Sequence, residues 1–76
     1  MEKAYLLVSC EIGTEQELAS KLEEIDEVKH VMITYGDYDI VVEAKTDVAA
    51  NMDDVITSKI RKLEKIRSTI TLRVTI

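Results

Sequence analysis

The sequence predicts an α+β fold, a ferredoxin-like βαββαβ sandwich in which two helices cover one face of a four-stranded antiparallel sheet. Two observations predict it. Four segments alternate apolar and polar residues with period two, and two segments between them carry apolar residues at intervals of three and four. Their order is strand, helix, strand, strand, helix, strand, and each strand–helix–strand half requires a right-handed crossover.

Ala4 to Ile12 is the first strand, with Leu6, Val8, Cys10 and Ile12 on one face and Tyr5, Leu7, Ser9 and Glu11 on the other. Gly13 ends it. Thr14, followed three residues later by Glu17, has the form of a capping box and starts a helix whose buried stripe is Leu18, Leu22 and Ile25. Val28 to Tyr35 alternates again, with Val31, Ile33 and Tyr35 opposing His30, Met32 and Thr34. Gly36-Asp37 then predicts a tight hairpin into Tyr38 to Ala44, with Tyr38, Ile40, Val42 and Ala44 on one side. Asp47 is the expected N-cap of the longer helix, which places Val48, Met52, Val55, Ile56, Ile60 and Leu63 at helical spacing. Ile66 to Ile76 is the last strand, with Ile70, Leu72, Val74 and Ile76 alternating against Thr69, Thr71, Arg73 and Thr75.

On this reading the face away from the helices carries Tyr5, Leu7, Ser9, His30, Met32, Thr34, Asp39, Val41, Glu43, Thr69, Thr71 and Arg73. It is too apolar for a solvated surface and too polar for a second core within one chain. A chain of 76 residues makes one domain, and at this size only about 60% of the unfolded chain's surface is buried. The single cysteine, Cys10, cannot form an internal disulfide, and with the single histidine, His30, it gives no metal-ligand spacing. Self-association across the second sheet face, forming a dimeric α/β barrel, is therefore the expected source of extra stability.

The formal net charge of −5 argues against a phosphate-neutralising surface, and of the aromatics that stack on bases on such a sheet the first strand offers only Tyr5 and the third none on the open face. No apolar run is long enough to span a membrane. An unpaired cysteine with no leader fits the reducing cytoplasm. No nucleophile–base pairing is visible. His30 reads as an interface residue, Cys10 as a small core residue, and the adjacent acids Asp53-Asp54 and Glu23-Glu24 diverge around their helices. The expectation is a non-enzyme without cofactor or metal.

One local motif has chemical content: Tyr35-Gly36-Asp37-Tyr38-Asp39. Two readings are open on the residues alone. It is a turn shaped by Asp37 with packed tyrosines, or it is a site in which glycine exposes backbone N–H groups to a ligand carboxylate while Asp39 meets an ammonium group.

The whole chain resembles the effector-binding domain of the Lrp/AsnC regulators, often called the RAM domain. The resemblance is carried by "AYLLVSCEIGTEQEL", by "LEEIDEVKHVMITYGDYDIVVEAKTD" and by "IRSTITLRVTI", and most specifically by the Gly-x-Tyr-Asp hairpin at Gly36, Tyr38 and Asp39. An ACT domain shares the topology, but its ligand loop follows the first strand, and "CEIGTEQEL" there resembles the RAM pattern more closely. The resemblance implies a dimer through the sheets, an octamer as a tetramer of dimers, and an amino acid or related metabolite bound between dimers. It implies that Gly36 and neighbouring backbone receive the effector's carboxylate, with Asp39 and Asp37 beside it. Tyr35 and Tyr38 would then be walls, and Thr69 and Thr71 would line the site from the last strand. It further implies a single domain over residues 1–76 with no helix-turn-helix domain, modulating full-length relatives without contacting DNA. Two other functions stay open on the sequence: a dimeric α/β-barrel enzyme resting on His30 and Glu43, and a structural partner subunit that binds no metabolite.

Overall fold

The computed structural model describes residues 1–75. Its strands are β1 (Glu2–Cys10), β2 (Val28–Ile33), β3 (Ile40–Thr46) and β4 (Ile66–Val74), and its helices α1 (Glu15–Glu23) and α2 (Ala49–Asp54), the latter continued by a π-helical segment over Val55–Ile60. The sheet runs β2-β3-β1-β4 with every neighbouring pair antiparallel. This is the predicted ferredoxin-like order. The expected place of Ile76 at the end of the last strand lies outside the described residues.

The core lies between the sheet and the helices. Ala4, Leu6, Val8 and Cys10 of β1 and Ile40, Val42 and Ala44 of β3 are buried against Leu18, Ala19 and Leu22 of α1 and Met52, Val55, Ile56 and Ile60 of the second helix. The two central strands supply the middle of this layer because their alternation puts every second side chain under a helix. Among the described residues no helix is long and apolar enough to cross a membrane.

Several boundaries differ from expectation, each for a local reason. β1 stops at Cys10, and Ile12 stands 93% exposed. Glu11 leaves the strand to donate its N–H to Lys65 O, while its own carbonyl accepts the N–H and the hydroxyl of Thr14. Thr14 is the N-cap of α1 as expected, but its hydroxyl serves that turn instead of the helix end, so the capping box does not form. The tight hairpin is a longer loop over residues 34–39, closed by the Thr34 N–H on Asp39 O and the Thr34 hydroxyl on Tyr38 O. β3 accordingly starts at Ile40 and runs to Thr46. Val48, not Asp47, precedes α2, and it is exposed. In the π-helical segment the Arg61 N–H reaches Ile56 O, five residues back. The wider turn keeps Val55, Ile56 and Ile60 all in the core.

The largest correction concerns β4. Directly paired residues of antiparallel strands share a face. Leu7 pairs with Ile70, Tyr5 with Leu72 and Lys3 with Val74, so these β4 residues lie on the face away from the helices. Thr69, Thr71 and Arg73 pair with Val8, Leu6 and Ala4 and take the helix side. The cause is a register shift between Ser9 and Cys10. Cys10 pairs with Ile66 while Ser9 pairs with Ser68, which inserts Arg67 as an extra residue. Ile66 therefore packs against the core, whereas Ile70, Leu72 and Val74, of the same parity in sequence, face away from it. On the helix side Arg73 bridges Asp53 at 2.7 Å and Glu2 at 3.4 Å.

The open face thus carries two rows that cross all four strands: Met32, Val41, Leu7 and Ile70, then His30, Glu43, Tyr5 and Leu72. Met32, Ile70 and Leu72 are each more than 40% exposed. Glu43 is buried at 7% exposure, and its carboxylate accepts the Tyr5 hydroxyl at 3.1 Å, His30 Nδ1, and Lys3 Nζ at 3.0 Å. The His30 bond, then the Lys3 bond, lower its pKa from 4.5 to about 2. That stabilisation is complete above about pH 4.5 and is lost as the pH falls toward 2, where the carboxylate takes up its proton. Glu43→Gln should flatten the loss of stability across this window in urea titrations at a series of pH values. A variant that loses stability as steeply as the wild type would contradict the assignment.

Candidate functional site

The loop between β2 and β3 occupies the end of the sheet where α1 begins. Gly36 has φ +118°, a backbone that L side chains rarely adopt, and a Cβ built there meets nothing within 4 Å. Glycine is required by the chain's path, not by crowding, and the backbone beside it is open. Asp39 anchors the loop. Its N–H donates to Val8 O at 2.9 Å, and its Oδ2 accepts the Cys10 N–H at 2.9 Å. The side chain thereby continues the β3–β1 ladder by one step and ties the loop to the central strand.

Two clefts flank this anchor. One, of about 470 Å³, is lined by Glu15 and Gln16 of α1 with Ile33, Thr34, Tyr35, Gly36 and Asp39. The other, of about 450 Å³, lies at the end of β1, where Ser9, Cys10 and Ile12 are flanked by Asp37 and Asp39 on the β3 side and by Arg67 and Ser68 of β4, with Glu15 also lining it. Tyr35 is fully exposed at the loop tip. Tyr38 is half-buried and borders neither cleft; its carbonyl holds Thr34.

The structure therefore brings Tyr35, Gly36, Asp37 and Asp39 together at one end of the sheet. It does not bring Thr69 and Thr71 to them. Both threonines lie on the helix side of β4, where Thr71 meets Arg61 at 3.5 Å, because the extra residue at Arg67 reverses the faces. Arg67 and Ser68 border the cleft in their place. Glu15 and Gln16 were also missed by the sequence reading; their position in the first turn after Gly13 was the available signal. Burial pushes the Cys10 thiol pKa up, which disfavours the thiolate a nucleophile needs. Among the described residues no group of three His, Cys, Asp or Glu side chains is placed to hold a metal ion.

The family model of the Lrp/AsnC ligand binding domain matches residues 3–75. The chain belongs to the Lrp/AsnC family. Solved structures agree with this membership. A hypothetical protein, PHS023 from Pyrococcus horikoshii, is 37% identical over 100% of this chain and 92% of its own, with a TM-score of 0.95. Escherichia coli AsnC is 26% identical over 96% of this chain and 50% of its own, with a TM-score of 0.89. A Neisseria meningitidis transcriptional regulator, NMB0573, solved as a complex with L-Met, shares the fold at 14% identity and a TM-score of 0.85, over 97% of this chain and 49% of its own. No curated protein matches the sequence.

In this Lrp/AsnC domain the Asp39 carboxylate has a structural task whatever else it does. Asp39→Ala leaves the Cys10 N–H without its acceptor and should cost about 1–3 kcal/mol. Asp39→Asn keeps an acceptor oxygen and should cost less than half as much. Urea unfolding of the three proteins measures this, and an Asp39→Ala chain as stable as the wild type would contradict the anchoring role.

Proposed function

We propose that this chain is a metabolite-sensing and self-assembly module of the Lrp/AsnC type, taking an amino acid or related small molecule at the loop of residues 34–39. It acts on transcription through assembly with copies of itself or with full-length family members, not by contacting DNA or catalysing a reaction. The observation that carries this reading is the conjunction of family membership with an open glycine backbone between two clefts. In this reading the N–H groups around Gly36 receive a carboxylate, Tyr35 flanks it, and Asp39 and Asp37 favour an ammonium group. The L-Met bound to the Neisseria regulator supports the ligand class.

A second copy of the chain covers the open sheet face, and such dimers join further through the loop end, where Ile12 and Tyr35 are exposed. The net charge of −5, with Tyr5 the single aromatic on the central strands of the open face, favours protein and metabolite partners over nucleic acid. Residues 1–76 act as a single domain, and the reduced Cys10 suits the cytoplasm.

A thermal-shift screen across the amino acids tests the ligand half of the proposal. A true ligand at about 100 times its dissociation constant adds ~2.7 kcal/mol, a readily measured shift. Gly36→Val, which forces a branched side chain onto a φ of +118°, should remove that shift. Absence of stabilisation by every amino acid would overturn the assignment of the ligand class.

A further inference from the structure

The open-face pairs exchanged by β1 and β3 are Lys3 with Lys45, Tyr5 with Glu43, and Leu7 with Val41. The middle pair of the two central strands thus holds, among the described residues, the one buried carboxylate of this face. No helix lies on this side of the sheet, and Glu43 is enclosed by its own donors: Lys3, Tyr5 and His30. Every polar atom of the group that is buried has a hydrogen-bond partner.

We propose that Lys3, Tyr5 and His30 form a preassembled, charge-compensating collar around Glu43, and that this collar makes the face selective for a second copy carrying the same set. The inference rests on the reading that a second copy covers the face. A two-fold axis lying in the plane between two fully overlapping sheets brings the middle of one face onto the middle of the other, so one collar meets its twin. Two bare carboxylates meeting there would lose hydration and repel. With Lys3 at 3.0 Å and two further donors, each Glu43 arrives already paired and nearly neutral as a group. The apolar row of Met32, Val41, Leu7 and Ile70 beside it supplies the area that drives contact. A wholly apolar partner surface would leave the outward faces of Lys3 and His30 unanswered, and an anionic one would meet Glu43. A second copy offers both charge balance and a matching apolar row.

Sedimentation equilibrium on the wild type, Lys3→Met, Glu43→Gln and the double variant tests this as a cycle. Lys3→Met should raise the dimer dissociation constant at least about 30-fold, as expected when one partner of a buried ion pair is removed. Adding Glu43→Gln to it should recover most of that loss, because the stranded charge is then gone. Tyr5→Phe deletes only a hydroxyl, so it threatens folding least, and should weaken pairing by about 10-fold. The collar is overturned if Lys3→Met and Tyr5→Phe pair as tightly as the wild type, or if the double variant is as weak as Lys3→Met alone. A wild-type chain that stays monomeric at every concentration overturns the dimer reading itself, and a wild type that dimerises with an additive cycle overturns only the collar.

Discussion

β1 has a hydrogen-bonded neighbour on each edge and apolar side chains on both faces, and the rest of the structure follows from meeting those demands. Its edges are met by β3 and β4. Its even-numbered residues from Ala4 to Cys10 are met by the two helices, which leave them almost wholly buried. Its odd-numbered residues Tyr5 and Leu7 are met only in part, by Val41, Glu43, Ile70 and Leu72 beside them in the sheet. One face is a finished core, and the other leaves Met32, Ile70 and Leu72 exposed.

The same strand ends at the candidate site. Asp39 reaches from the loop to β1 through two hydrogen bonds, one to Val8 and one from Cys10. The loop that would hold a ligand is therefore fastened to the strand that runs through the middle of the open face. Ligand occupancy and face-to-face pairing have a short physical route between them, along one strand from Asp39's anchor at Cys10 to Tyr5 and Lys3. Under the proposed function, sensing by this route needs no large conformational change. It needs only that the loop's geometry and the sheet's pairing favour each other.

Most of the fold was legible in the sequence because it depends on period. The alternation from Ala4 to Cys10 and the spacing of Leu18 and Leu22 name the core correctly, and the element order leaves few topologies. What was not legible depends on single-residue shifts. One extra residue at Arg67 reverses the faces of β4, and hydropathy cannot show this because Ile66 and Ile70 have the same parity and both are apolar. The same shift puts Thr69 and Thr71, which the family resemblance implied for the site, on the helix side of β4, and it sets Arg67 and Ser68 beside the cleft. Missing it also understated the apolar character of the open face by three large side chains, Ile70, Leu72 and Val74. The loop was named rightly as glycine-dependent, but the length of its span over residues 34–39 is set by Thr34, whose two bonds to Tyr38 and Asp39 leave no periodic trace. The Glu43 cluster was half visible: its members alternate onto one face in sequence, but only the cross-strand register brings them to one carboxylate.

The central claim, that the open face is an interface awaiting its second half, is tested most directly by solvent paramagnetic relaxation of assigned methyl groups. With a soluble paramagnetic agent, the methyls of Leu7, Met32, Ile70 and Leu72 should be protected nearly as well as those of Leu6 and Val42, while Val48, at 53% exposure and outside both proposed contacts, relaxes fast as the internal standard. Relaxation of Ile70 and Leu72 at rates approaching that of Val48 would contradict the claim and leave the face open to water.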